Sequence, residues 1–220
     1  MSDLPPPNRK CEYGCLMAMV SPKISKNLVE LGKIIIPDNQ LFIGPPEDEL
    51  GRETESHVTI FFGFTPDLTP KYINGIIDEL RICLKKDVID EMGGQYVIRA
   101  GGHSGTRPLE DDEFRSSLLS MEDKQSKWKA YAEGLSIFDT KEEYDVVKFD
   151  IKKDKTLTHL NEICKMFPNE EKFPVYHPHL TLGYVKKGSF KHKASNKNIL
   201  LVFDRLKYSG QDGTKRYYNL

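Results

Sequence analysis

Two four-residue segments carry the chemistry this sequence offers. His57-Val58-Thr59-Ile60 and His179-Leu180-Thr181-Leu182 repeat one pattern: histidine, apolar residue, threonine, apolar residue. On a β-strand, residues i and i+2 project from the same face. Each segment would therefore set an imidazole and a hydroxyl side by side, about 6–7 Å apart along the strand, with the apolar residues packed behind. At average residue usage such a pattern follows roughly 2% of histidines. Among six histidines, one match is unremarkable, whereas two fall well under about 1%.

A matched pair of this kind suits phosphodiester cleavage. That reaction needs a base to activate water or a ribose hydroxyl, and an acid to protonate the departing oxygen. Imidazole, with an unperturbed pKa near 6.5, serves as either at neutral pH. Positioned proton transfer contributes about 10²–10⁴ in rate. Threonine hydroxyls can donate to the non-bridging phosphate oxygens, and a charged imidazole adds electrostatic stabilisation. The spacing does not say which histidine is the base.

The elements that must position these residues can be read from the apolar pattern. CLMAMV, residues 15–20, is a buried strand, closed by Ser21-Pro22, and Ile24, Leu28 and Leu31 recur at helical spacing in a helix over 25–35. HVTIFFGF, residues 57–64, is the strongest strand of the N-terminal half. A helix over 71–85 follows, with the stripe Ile73, Ile76, Ile77 and Leu80, and then a strand candidate at 95–100. The segment 101–134, containing GGHSGTRP, an acidic run at 110–113 and Trp128, is read as an insertion beside the core, its second part helical. Strands return at 135–138 and 144–151, the latter with Val146, Lys148 and Asp150 alternating with an apolar face. A helix over 156–167, capped by Thr156 or Thr158, precedes strands at 177–185 and 200–209. The order suggests two related α+β halves within one domain over 11–220, after a proline-rich tail at 1–10.

Composition narrows the partners. With 32 basic and 33 acidic residues, the chain lacks the basic excess of a coat for long duplex nucleic acid. A small nucleotide or a short RNA end remains open. No run approaches a membrane span. The cysteines Cys11, Cys15, Cys83 and Cys164 form no disulfide framework and no zinc pattern. A cytoplasmic monomer that needs no cofactor and no metal is the expectation.

The two motifs resemble those of the 2H phosphoesterase superfamily. GRETESHVTIFFGF, EEYDVVKFDI and YHPHLTLGYVKKG look like its phage and prophage branch, known as 2′-5′ RNA ligase-like. The resemblance spans 15–209 apart from 101–134. It implies a bilobal α+β fold of two pseudo-symmetric lobes, with antiparallel sheets flanked by helices and the motifs facing across a central groove. It also implies metal-independent hydrolysis of 2′,3′-cyclic phosphates, 2′-5′ linkages or related nucleotide esters. A counter-defence role against cyclic oligonucleotide signals in a host cytoplasm follows from the same likeness. A non-catalytic nucleotide-binding module and a 2′-5′ RNA ligase are the alternatives.

Other residues are candidates of a weaker kind. Tyr176, Tyr184 and Phe62 flank the motifs and could stack on a base, or simply pack. Arg107, with His103, could reach a ligand from the insertion. Arg52 and Lys186 could steer phosphate or merely solvate a surface. His177 forms a His-x-His pair with His179, but Pro178 between them and the absence of an evident third ligand weigh against a metal.

Overall fold

In the computed structural model the described residues are 12–44, 50–65, 68–91, 128–170, 173, 175–191 and 198–220. The tail, the strand candidate at 95–100, the acidic run at 110–113, and His103 and Arg107 lie outside them.

The fold is α+β, built on one antiparallel sheet. Its strands are β1 (Gly14–Val20), β2 (His57–Phe64), β3 (Trp128–Phe138), β4 (Tyr144–Ile151), β5 (His179–Lys186), β6 (Ile199–Ser209) and β7 (Lys215–Asn219). The order across the sheet is β2-β1-β6-β3-β4-β5, with β7 also paired to β6. Two long strands join the halves. β6 pairs through 203–209 with β1 and through 199–203 with β3. β3 continues past β6 to pair with β4.

The helices are α1 (Pro22–Ile35), α2 (Pro70–Glu91) and α3 (Lys155–Lys165). Pro22 at the head of α1 fits the first turn, where its missing N–H costs nothing. At the start of α3 the capping acceptor is Asp154, which takes the Leu157 N–H at 2.7 Å; Thr158 instead donates to the Asp154 carbonyl at 2.8 Å. The stripe expected on α2 is buried as Ile73, Ile76, Ile77 and Leu80. It belongs to one core cluster with Val58, Ile60, Leu180 and Leu182. Burying each such side chain contributes about 1.5–3 kcal/mol.

Two expectations need correction. Residues 128–134 are not helical; they form the first part of β3, with Trp128, Ala130 and Ala132 buried alternately. Ala130 and Ala132 are short, and between Lys129, Tyr131 and Glu133 they give a period of two that is weak in sequence. β7 was also not foreseen, because KRYYN shows no apolar alternation.

Candidate active site

The two motif strands lie at opposite ends of the sheet order, yet the sheet curls so that β2 and β5 come into contact. Each half covers the other's motif strand. The lead-in to β2 runs along β5: Tyr184 N–H donates to Gly51 O at 2.7 Å, and Glu53 N–H to Leu182 O at 3.1 Å. The lead-in to β5 runs along β2: Glu170 N–H donates to Gly63 O at 2.8 Å, and Thr65 N–H to Pro168 O at 3.0 Å. Likewise α1 packs on β5 and α3 on β2. These bonds cover part of each motif strand's outer edge and hold the two motifs together.

Both strands bulge immediately after the threonine. Leu16 and Met17 on β1 pair with Phe61 and Thr59, leaving Ile60 unmatched. Val147 and Lys148 on β4 pair with Gly183 and Thr181, leaving Leu182 unmatched. The burial patterns agree through the bulge: histidine and threonine half-buried, and the other three of the first five residues buried. An extra residue re-aims the strand while both apolar side chains stay in the core. Carbonyls freed near the β2 bulge are taken from the other half: Asn161 Nδ2 donates to Ile60 O at 2.8 Å, and Tyr176 Oη to Thr59 O at 3.0 Å.

The imidazoles are oriented alike. His57 Nδ1 lies 3.0 Å from Glu55 O, and His179 Nδ1 lies 2.8 Å from His177 O. A carbonyl only accepts, so Nδ1 carries the proton in each ring. The Nε2 atom is then a lone-pair base in the neutral ring and an N–H acid in the charged one. The pair is close enough for the charge of His57 to depress the His179 pKa. Burial is the largest cause holding His179 below its ordinary value; the Lys148 ammonium and His57 act in the same direction, while the His177 carbonyl and Asp150 oppose them.

Here the two halves stop matching. Facing His179 and Thr181 across β4 are Asp150 and Lys148; facing His57 and Thr59 across β1 are Met19 and Met17. Lys148 is 5% exposed. It is paired to Asp150, donates to Ser136 Oγ at 2.8 Å and lies 4.1 Å from the Phe138 ring centroid. That ring meets His179 edge-on at 4.9 Å. Lys148 and Asp150 were visible as the polar face of YDVVKFDI, but nothing in sequence said that this face adjoins His179.

The weaker candidates divide. Phe62 and Tyr184 both stand five residues after a motif histidine, each in register with a residue on the histidine face, Cys15 and Val146. Phe62 is 38% exposed and packs on Tyr13 and Phe173. Tyr184 packs on Tyr144, and burial pushes its hydroxyl up to about 12. Tyr176 is engaged through its hydroxyl with the Thr59 carbonyl, and burial raises its pKa. Arg52 closes the end of α1, donating to Gly32 O at 2.7 Å and Ile36 O at 3.0 Å and pairing with Asp38. Lys186 donates to Asn39 O at 3.0 Å. His177 is exposed, and no cluster of three metal-ligating side chains occurs among the described residues. Cys15, Cys83 and Cys164 are not joined in disulfides.

No family model and no curated protein matches the sequence. Among solved structures, the chain is similar to a phosphoesterase at 12% identity and TM-score 0.48, covering 94% of this chain and 95% of that one. It is similar to E. coli LigT in complex with 3′-AMP at 10% identity and TM-score 0.47, covering 94% of each. It is similar to Kluyveromyces marxianus Usb1 with uridine monophosphate at 10% identity and TM-score 0.46, covering 98% and 100%. Similarity of this grade carries no chemistry across; the residues of this chain have to.

Proposed function

We propose that this chain is a phosphodiesterase of the 2H type. It would hydrolyse a nucleotide phosphodiester, either a 2′-5′-linked or 2′,3′-cyclic RNA phosphate or a cyclic oligonucleotide signal, by two-histidine acid–base catalysis without a metal. The observation that carries this reading is the duplicated imidazole. Two histidines on touching strands each spend Nδ1 on a backbone carbonyl two residues back, leaving both Nε2 atoms for proton transfer.

Neutral His179, favoured by its lowered pKa, accepts the proton of the attacking water or ribose hydroxyl. Charged His57 gives its Nε2 proton to the departing ribose oxygen. Thr59 and Thr181 donate to the non-bridging oxygens, and the Lys148 ammonium beside Thr181 adds fixed positive charge where negative charge builds up. The Nδ1 bonds keep both rings from swinging, so little reorganisation is needed at the reacting phosphorus.

The test is a panel of 2′,3′-cyclic mononucleotides, 2′-5′ dinucleotides and cyclic di- and trinucleotides, read by mass spectrometry. Cleavage of at least one member, lost in both His57→Ala and His179→Ala and indifferent to EDTA, is the expected result. Binding of a panel member without any product would replace the enzyme with a nucleotide-binding module.

A further inference from the structure

The site is lopsided in a second way, which concerns what lies beyond the reacting phosphate. On the β5 side, the row from Thr181 crosses Lys148 to Ser136, and the space beside it is taken by Phe138. On the β2 side, the row from Thr59 crosses Met17 on β1 and Lys207 on β6 to Tyr217 on β7. Directly opposed residues of neighbouring strands share a face, so all four side chains lie on the face that carries the motif histidines. Three interstrand steps separate Thr59 from Tyr217, about 14 Å.

The far end of this row has what a nucleotide contact requires. Tyr217 is 47% exposed, and its hydroxyl donates to Glu55 Oε2 at 3.5 Å. Arg205 and Lys207 stand 5.2 and 5.7 Å from its ring centroid. Both cations are held by Glu55, at 3.3 and 3.1 Å, and Glu55 is the residue whose carbonyl orients His57. Arg205 Nε also lies 3.7 Å from Asp204; guanidinium has five donors and ammonium three, so these carboxylates fix both groups without exhausting them. The side chains are therefore arranged before a ligand arrives, and a phosphate can still engage their remaining N–H groups.

We infer that Tyr217, Arg205 and Lys207 form a subsite for a second nucleotide, covalently linked to the one whose phosphate is cleaved. The base stacks on Tyr217, and its phosphate meets Arg205 and Lys207. This rests on the phosphodiesterase reading and narrows it: the substrate has two or more linked nucleotides, and a mononucleotide reaches only the histidine end of the row. Met17, half-buried between the two ends, offers an apolar contact for the intervening ribose or base.

Binding and turnover are measured together on the full chain, with uridine 2′,3′-cyclic phosphate, a linear pentauridylate ending in the same cyclic phosphate, and a cyclic trinucleotide. At least one linked substrate is expected to bind more tightly than the mononucleotide by about five- to a hundredfold, the span of one base–aromatic stack. Tyr217→Ala should remove that advantage and leave mononucleotide binding and turnover unchanged, while Tyr217→Phe keeps it. Comparing the linear and cyclic substrates identifies which source the subsite takes. Equal affinity for mononucleotide and linked substrates, or an advantage that survives Tyr217→Ala, overturns the inference. If nothing is cleaved, the hydrolytic reading falls, and the affinity ratio in wild type and Tyr217→Ala still decides the subsite.

Discussion

At the scale of single residues, the two histidines are alike in position and unlike in surroundings, and in the proposed mechanism the surroundings set their roles. His179→Ala or His57→Ala should each lower kcat by about 10²–10⁴, with an unchanged far-ultraviolet circular dichroism spectrum. Each imidazole is half-buried and bonds through Nδ1 to a backbone carbonyl two residues back. Lys148 gives a sharper test. Its ammonium lowers the His179 pKa and Asp150 raises it, so Lys148→Met removes a depressing charge and frees an elevating one; both changes push His179 up. The acidic limb of the pH–rate profile should move to higher pH, together with the imidazole C–H resonance followed by NMR. A limb that stays in place, or moves down, would remove Lys148 from the account. Stability has a matching sign. Folded His179 releases its proton below the unfolded value of about 6.5, so the unfolded chain binds more protons in that window. Stability therefore rises with pH across it and is lost as pH falls through it.

At the scale of elements, two bulges and the residues that accommodate them hold the motif strands in place. Asn161 on α3 satisfies the Ile60 carbonyl from the other half of the molecule. Asn161→Leu should cost about 1–3 kcal/mol, the usual penalty of a stranded buried acceptor, read as a lowered urea midpoint at unchanged slope. Gly63 has φ +128°, and a Cβ there would stand 2.3 Å from the Glu170 carbonyl oxygen. Gly63→Ala therefore adds backbone strain to a collision with main chain and should lower the midpoint by more than an alanine placed at Gly75, which meets nothing within 4 Å. Equal effects at the two glycines would show that the 168–170 segment yields freely and that its cover of β2 is loose.

At the scale of the whole molecule, the halves resemble one another but are not separable. β6 is shared between them, each lead-in covers the other half's motif strand, and α1 and α3 are exchanged across the middle. Urea unfolding followed by tryptophan fluorescence and by circular dichroism should give one coincident transition. Residues 1–127 expressed alone should lack dispersed amide resonances, since β1 would lose β6 and β2 would lose its cover. Two resolved transitions would mean that the halves fold as separate units.

The sequence by itself determined β1, β2, β4, β5, β6 and the last part of β3, and the chemistry within reach of one strand. HVTI and HLTL paired an imidazole with a hydroxyl because a period of two is local backbone geometry. α1 and α2 were legible from their apolar stripes and α3 was also expected, although α2 runs six residues past its expected end at 85. What lay beyond was non-local. Asp154 escapes a local reading as the cap because it sits two residues before the expected helix over 156–167, and residues 128–134 are hidden because short buried alanines between polar residues carry little hydrophobic signal. Only the tertiary structure decided that β2 and β5 touch, that Lys148 and Asp150 face one histidine while two methionines face the other, and that Tyr217 belongs to the same surface. Strand register and sheet curvature bring together residues separated by more than a hundred positions, and no local period encodes which strands become neighbours.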